Sequence, residues 1–336
     1  MFEESHETLE RLRRLFAGET SPYEEQRAAE HLTGCRDCWL LAARAITAQR
    51  AAGTLVVQGP LRKIVELQEA EQERALDLVE AQAAWPEVLA LPEKARRDKV
   101  RTTRALHTLG AVEFLLEAGA TAEKLVDANE RFGFALIVAQ QLPASKFSSE
   151  LKNDLCAECC AEIGNTRRRL ARWPAARAVL REGLEYAARG TRNGVAEGKV
   201  LCVEGALEDD LCNAEGAAAI LRRAESLFEA AGQPFLRSRT LTQLAYVLVD
   251  TDPAACLLAV DQALALLPAG HPRLAMVAEG IRIDCLVTLG SPHEALLRLT
   301  ALQPLYRQLE DSPTRLKRKF TSARILESLG RVQKAE

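Results

Sequence analysis

The chain has 336 residues, of which 44 are basic and 47 acidic, for a formal net charge of -3. That balance offers no bulk attraction to nucleic acid, and Arg167-Arg168-Arg169 and Lys317-Arg318-Lys319 are short runs that read as solvated helix faces. Aromatic residues make up only 5% while Ala, Leu, Glu and Arg dominate, the makeup of an all-helical protein. The length suggests two or three domains. Met1-Phe2-Glu3-Glu4-Ser5 lacks the basic-then-apolar layout of a signal peptide, and no window reaches the roughly 18 apolar residues that span a bilayer. The expectation is a cytoplasmic protein without a membrane segment. Nine cysteines, an odd number scattered through helical segments, suit a reducing compartment.

Leu9, Leu12, Leu15 and Phe16 recur at helical spacing, and the helix stops around Ala17-Gly18. Ser21-Pro22-Tyr23-Glu24 then supplies an N-cap, a proline at the first helical position and a capping-box glutamate. That second helix leads into His31-Leu32-Thr33-Gly34-Cys35-Arg36-Asp37-Cys38, an H-x3-C-x2-C pattern. Two thiolates two residues apart can hold one ion, and a histidine near the helix end can close a third corner of a tetrahedron. A structural zinc wants a fourth protein ligand. His6, the only other His or Cys before residue 107, is the candidate. The bland alternative is that both cysteines are small buried apolar groups and His31 an ordinary polar residue. Against it, Arg36 and Asp37 between the thiols suit a turn and not a core. A third helix opens at Trp39-Leu40-Leu41 and runs to about Arg50. So short a unit cannot bury much apolar surface, and zinc, worth on the order of 10 kcal/mol of folding free energy, would supply the missing stability.

Gly53 to Pro60 looks extended and reads as a linker. A longer helix follows from Leu61 to about Ala84, with Leu61, Ile64, Val65, Ala75, Leu76 and Val79 on one stripe that either packs within the chain, the commoner case, or is offered to a partner helix. Gln68 and Gln72 interrupt it, so its centre is expected to be only partly buried.

From about residue 93 the chain is helix after helix, and it repeats. The segments starting Arg172-Trp173-Pro174, Asn213-Ala214-Glu215, Asp252-Pro253-Ala254 and Ser291-Pro292-His293 align, and a small residue advances from Ala176 to Ala217, Cys256 and Ala295, a period of about 40. Each unit is a helix, a short Gly/Pro/Asp turn and a second helix whose small residue lets the pair approach closely. No such hairpin buries its apolar face alone, so neighbours must stack. Residues 97–142 read as a further, degenerate pair, and Leu329 to Ala335 as the start of another unit.

These hairpins resemble tetratricopeptide repeats over roughly residues 97–336, with units longer than the usual length of about 34 and without the full Trp-Leu-Gly-Tyr signature. The resemblance implies a scaffold that binds other proteins. The front end resembles the zinc-binding domain of bacterial anti-sigma factors over its first fifty or so residues. Ala17-Gly18-Glu19-Thr20-Ser21-Pro22 stands where that family carries an Asp-Gly-Glu-Leu-Ser-Pro stretch, and His31 to Cys38 stands at its knuckle. His6 lies about where the family places its first ligand. The resemblance implies a partner of the extracytoplasmic-function sigma class, held away from core RNA polymerase. Ala17 and Thr20 depart from the family pattern, and the membrane-spanning helix of many relatives has no counterpart.

No phosphate-cradling glycine loop, G-x-S-x-G elbow or H-E-x-x-H helix is present. Cys156-Ala157-Glu158-Cys159-Cys160 puts three thiols on one helix face, which reads as a small-residue core stripe. His107, His271 and His293 read as surface or capping residues and Trp173 as packed into its hairpin.

The expected protein is therefore all-α and not an enzyme. A small zinc-bound helical domain (1–52) precedes a linker and amphipathic helix (53–92) and a tetratricopeptide-like right-handed α-solenoid (93–336). Zn2+ would sit on His6, His31, Cys35 and Cys38. The expected function is anti-sigma-like transcription regulation, with a further protein or peptide on the solenoid and no direct nucleic-acid or membrane contact. The alternative is a scaffold whose zinc domain is purely structural.

Overall fold

The computed structural model describes residues 7–56, 59–308 and 312–330. Within them the chain is all-α, with seventeen α-helices, one 3-10 turn and no strand. It divides into two compact units: one runs to Ala90 and includes Leu109–Ala111, and the other comprises Leu91–Thr108 and the chain from Val112 onward.

The first unit holds α1 (Leu9–Phe16), α2 (Pro22–Gly34), α3 (Arg36–Ala51) and α4 (Leu61–Leu89). Ser21 caps α2 in the expected capping box with Glu24, and Thr8 caps α1. Both α1 and α3 end on a glycine in the left-handed region, Gly18 and Gly53. There the amides of Glu19 and Thr54 reach back to the carbonyls of Arg14 and Gln49, a closing turn that only a residue tolerant of positive φ makes cheaply.

Leu12, Leu15, Phe16, Ala28, Leu32, Cys38, Ala42 and Ile46 are buried in one cluster with Leu61, Ile64 and Val65 of α4. The unit therefore has an apolar interior of its own. The expectation of one too small to matter is corrected because α4 supplies its fourth wall. The segment read as a linker is stitched down at its start: the Val56 amide donates to the Phe16 carbonyl (2.8 Å), and Leu55 packs on the core.

The stripe on α4 splits. Gln68 is buried, its amide donating to the Trp39 carbonyl at 3.0 Å, so the expected polar gap is filled by a hydrogen bond. Ala75, Leu76 and Val79 are exposed instead.

The second unit begins with α5 (Glu93–Thr102), a 3-10 turn (Arg104–Leu106), α6 (Leu109–Ala120, whose first turn belongs to the first unit) and α7 (Leu125–Gln141). Residues 97–142 are thus more than the expected helix pair. The hairpins follow: α8 (Ser149–Arg169) with α9 (Trp173–Ala188), α10 (Val195–Asp210) with α11 (Ala214–Ala230), α12 (Pro234–Leu248) with α13 (Pro253–Leu266), and α14 (Pro272–Thr288) with α15 (Pro292–Ala301). The described chain ends with α16 (Gln303–Gln308) and α17 (Ser312–Ser328). Each helix from α7 to α15 packs on the next, and α8, α10, α12 and α14 also pack in series, the neighbour-on-neighbour pattern of a helical solenoid. The unit expected to begin at Leu329 falls mostly on residues 331–336, outside the described residues.

Ala176, Ala217, Cys256 and Ala295 are all fully buried near the start of their helices, as the repeat reading requires. A second row answers them on the first helix of each pair: Gly164, Gly205, Ala245 and Cys285, again about 40 residues apart. A β-carbon on Gly164 would stand 2.6 Å from Leu180 Cδ2, and one on Gly205 2.7 Å from Leu221 Cγ. Leu180, Leu221, Val260 and Leu299 form the third row, each buried four residues after the small residue of its helix. Small residues on both helices against one large apolar side chain set how closely each pair packs.

Candidate metal centre

His31, Cys35 and Cys38 come together where α2 hands over to α3. Cys35 is at once the C-cap of α2 and the N-cap of α3. Its amide donates to the His31 carbonyl (2.9 Å), and its carbonyl accepts from the Trp39 amide (2.9 Å). The residues between the thiols are therefore not a free turn: Arg36 and Asp37 open α3, and Cys38 completes its first turn. One cap residue with no intervening loop brings the last turn of one helix against the first turn of the next.

The donor atoms of the three residues all lie within 4.8 Å of one another, and His31 Nε2 is 3.2 Å from Cys38 Sγ. Donors on a tetrahedral zinc stand roughly 3.3–3.8 Å apart, given bonds of about 2.0–2.3 Å. The set could close on a small ion with shifts of about an ångström. Among the described residues it is the only such group of three or more His, Cys, Asp or Glu donors.

Cys38 is buried while His31 and Cys35 are half-buried. Burial pushes the Cys38 thiol up, partly offset by the Glu7 amide, which donates to Cys38 Sγ at 3.2 Å. The neighbouring Cys35 pushes it further up. The buried Cys38 thiol thus resists losing its proton unless a cation takes its place. The first-turn position on α3 adds the partial positive charge of a helix N-terminus. Glu7 contributes its backbone here, since its carboxylate pairs with Arg11 (3.3 Å).

Trp39 fastens α3 to α4 beside the cluster, its indole N–H donating to Glu71 Oε2 (2.6 Å). Sequence reasoning missed this Trp39–Gln68–Glu71 clasp, because residues about 30 apart gave no shared pattern. His6 lies outside the described residues.

The other sulfur cluster is of a different kind. Cys156, Cys159 and Cys160 are buried on α8 with no imidazole among them. Burial pushes Cys156 up to about 11 and Cys160 up to about 12, and raises Cys159 well above the usual thiol range. These thiols stay protonated and pack as small apolar groups, as expected. Trp173, by contrast, is 39% exposed, so its ring is only partly covered, and His107 caps the 3-10 turn, as one of its two expected roles had it, but is buried and not at the surface.

Comparison of the sequence with models of protein families and with curated proteins finds no match in either. Among the described residues no helix is long and apolar enough to cross a membrane.

Proposed function

We propose that His31, Cys35 and Cys38, with His6 as the fourth donor, hold a structural zinc ion, and that the unit so fixed acts as an anti-sigma-like regulator. The observation that carries this reading is the convergence of three borderline-soft donors within 4.8 Å at a helix junction. Two thiolates and an imidazole favour zinc over the hard, oxygen-seeking cations. His6 enters this reading from the sequence, as the only other His or Cys before residue 107. Four protein donors close the coordination shell and leave no position for a reacting water, so the ion cross-links helices and does no chemistry on a substrate.

The partner in this reading is an extracytoplasmic-function sigma factor, held by the first unit in a reducing cytoplasm. Leu40 on α3 and Leu67, Leu76 and Val79 on α4 are large apolar side chains left exposed, which supports a protein contact there. The hairpin stack takes a further protein or peptide.

The test is co-expression of the full chain with sigma factors of that class. Co-purification lost on L76D/V79D, with zinc retained, supports the reading. Full zinc occupancy with no sigma factor retained leaves the scaffold reading, in which the metal is purely structural. Metal content unchanged by Cys35→Ser and Cys38→Ser defeats both.

A further inference from the structure

The second unit contains a cavity whose charge is uncompensated. The end of α5, the 3-10 turn, the end of α7 and the start of α8 surround an open cavity of about 620 Å³, lined by Arg101, Arg104, His107, Gln140, Leu142 and Lys152 among others, with no carboxylate in its lining. Several other cations of this unit are answered by acids: Arg96 by Glu130 (3.0 Å), Arg168 by Asp210 (2.7 Å), Arg177 by Glu208 (2.6 Å) and Arg237 by Glu225 (2.6 Å). Arg101, Arg104 and Lys152 have no such partner among the described residues.

Two helices end at this cavity and α8 begins there, so helix ends contribute roughly half a net negative charge. Three formal cations against it leave a net of about +2 to +3. The His107 ring is held in the wall by its Nε2, 2.7 Å from the Val100 carbonyl. The volume falls in the range of small-ligand sites, roughly 300–1,000 Å³.

We propose that this cavity binds a small oligophosphate anion. Two guanidinium forks match phosphate oxygens in pairs, and a lysine adds a point charge. The rest of the lining, Thr102, Leu142, Pro143 and Ala144 with the two glutamines, has no aromatic ring, and the one ring present, His107, is buried and tied to the Val100 carbonyl, so no exposed face is left for a nucleobase to stack on. The recognised group is therefore the phosphate chain, whether free or carried on a nucleoside. The inference concerns the second unit alone and does not depend on the metal centre or its partner.

The test is titration calorimetry of the full chain with sodium triphosphate and, separately, with ATP, at an ionic strength of about 0.15 M. Saturable one-to-one binding of triphosphate, weakened about tenfold or more by Arg101→Gln and by Arg104→Gln, supports the site. So does unchanged binding in Arg222→Gln, a control for loss of one charge at an exposed position on α11. Arg101 and Arg104 are exposed, so both variants are expected to fold, with helicity and melting checked by circular dichroism. If either melts early, Lys152→Gln on α8 carries the same test. ATP bound as tightly as triphosphate, and lost in the same variants, also supports it. No saturation by triphosphate, equal losses in the control, or ATP binding that survives the arginine substitutions overturns it.

Discussion

Cys35 and Cys38 stand beside the His31 imidazole at the junction of two helices, whereas Cys156, Cys159, Cys160, Cys256 and Cys285 are buried in the repeats with no imidazole grouped with them. Cys256 occupies the row otherwise held by Ala176, Ala217 and Ala295, and Cys285 the row of Gly164, Gly205 and Ala245. In the repeats, cysteine is read by the fold as a small apolar side chain. In the first unit Cys38 is buried as well, but it stands with Cys35 beside His31, in a group that could hold a metal ion. Surroundings decide which property of sulfur is used.

The sharpest way to break this contrast is to make the same change on both sides. Cys38→Ala is expected to abolish metal binding and with it on the order of 10 kcal/mol of folding free energy, so that the first unit loses its cooperative transition while the hairpins keep theirs. Cys256→Ala should cost less than about 1.5 kcal/mol, because Ala already fills that row in three other repeats. Metal analysis and calorimetric melts read both; similar losses in the two variants would end the distinction.

Next in size is Leu221→Ala, expected to cost about 2–5 kcal/mol by opening a cavity beside Gly205. That loss should lower the melting of the hairpins and leave metal content unchanged.

The smallest effect near neutrality is the response to pH, and it differs in sign. Cys156, Cys160 and Cys256 have folded-state values raised to about 11, 12 and 12, chiefly by burial. Their contribution is complete below the unfolded thiol value of about 8.5 and is lost as pH climbs toward 11–12. A metal held as proposed on His31, Cys35 and Cys38 would need thiolates and a neutral imidazole, so protons would compete with the ion and that part of the stability would be lost as pH falls. Melts across pH should show the first unit failing first in acid and the hairpins failing first in alkali.

Much of this was legible in the sequence. The knuckle was readable because its three donors lie within eight residues, and local helix geometry alone brings them together. The second-helix row of small residues was readable because turn and small residue recur together. Its counterpart on the first helices was hidden, since Gly164, Gly205, Ala245 and Cys285 share size but no neighbouring signature. The fate of α4 was misjudged for a related reason. An apolar stripe says that a face could be buried, but which half is covered depends on helices far away in sequence, and Gln68 became buried only because the Trp39 carbonyl accepts its amide. The basic cavity left no trace in a linear scan, since Arg101, Arg104 and Lys152 span about 50 residues and three separate elements.

The three aligned rows have a consequence for the size of this molecule. Gly164 with Leu180 and Gly205 with Leu221 are the same joint made twice, and Ala245 with Val260 and Cys285 with Leu299 occupy the corresponding positions. The array can therefore be shortened or extended in whole increments of about 40 residues, each new seam meeting a partner it already fits. A cut of half that length would set a turn where a helix must stand. Reach, in such a chain, is a matter of counting.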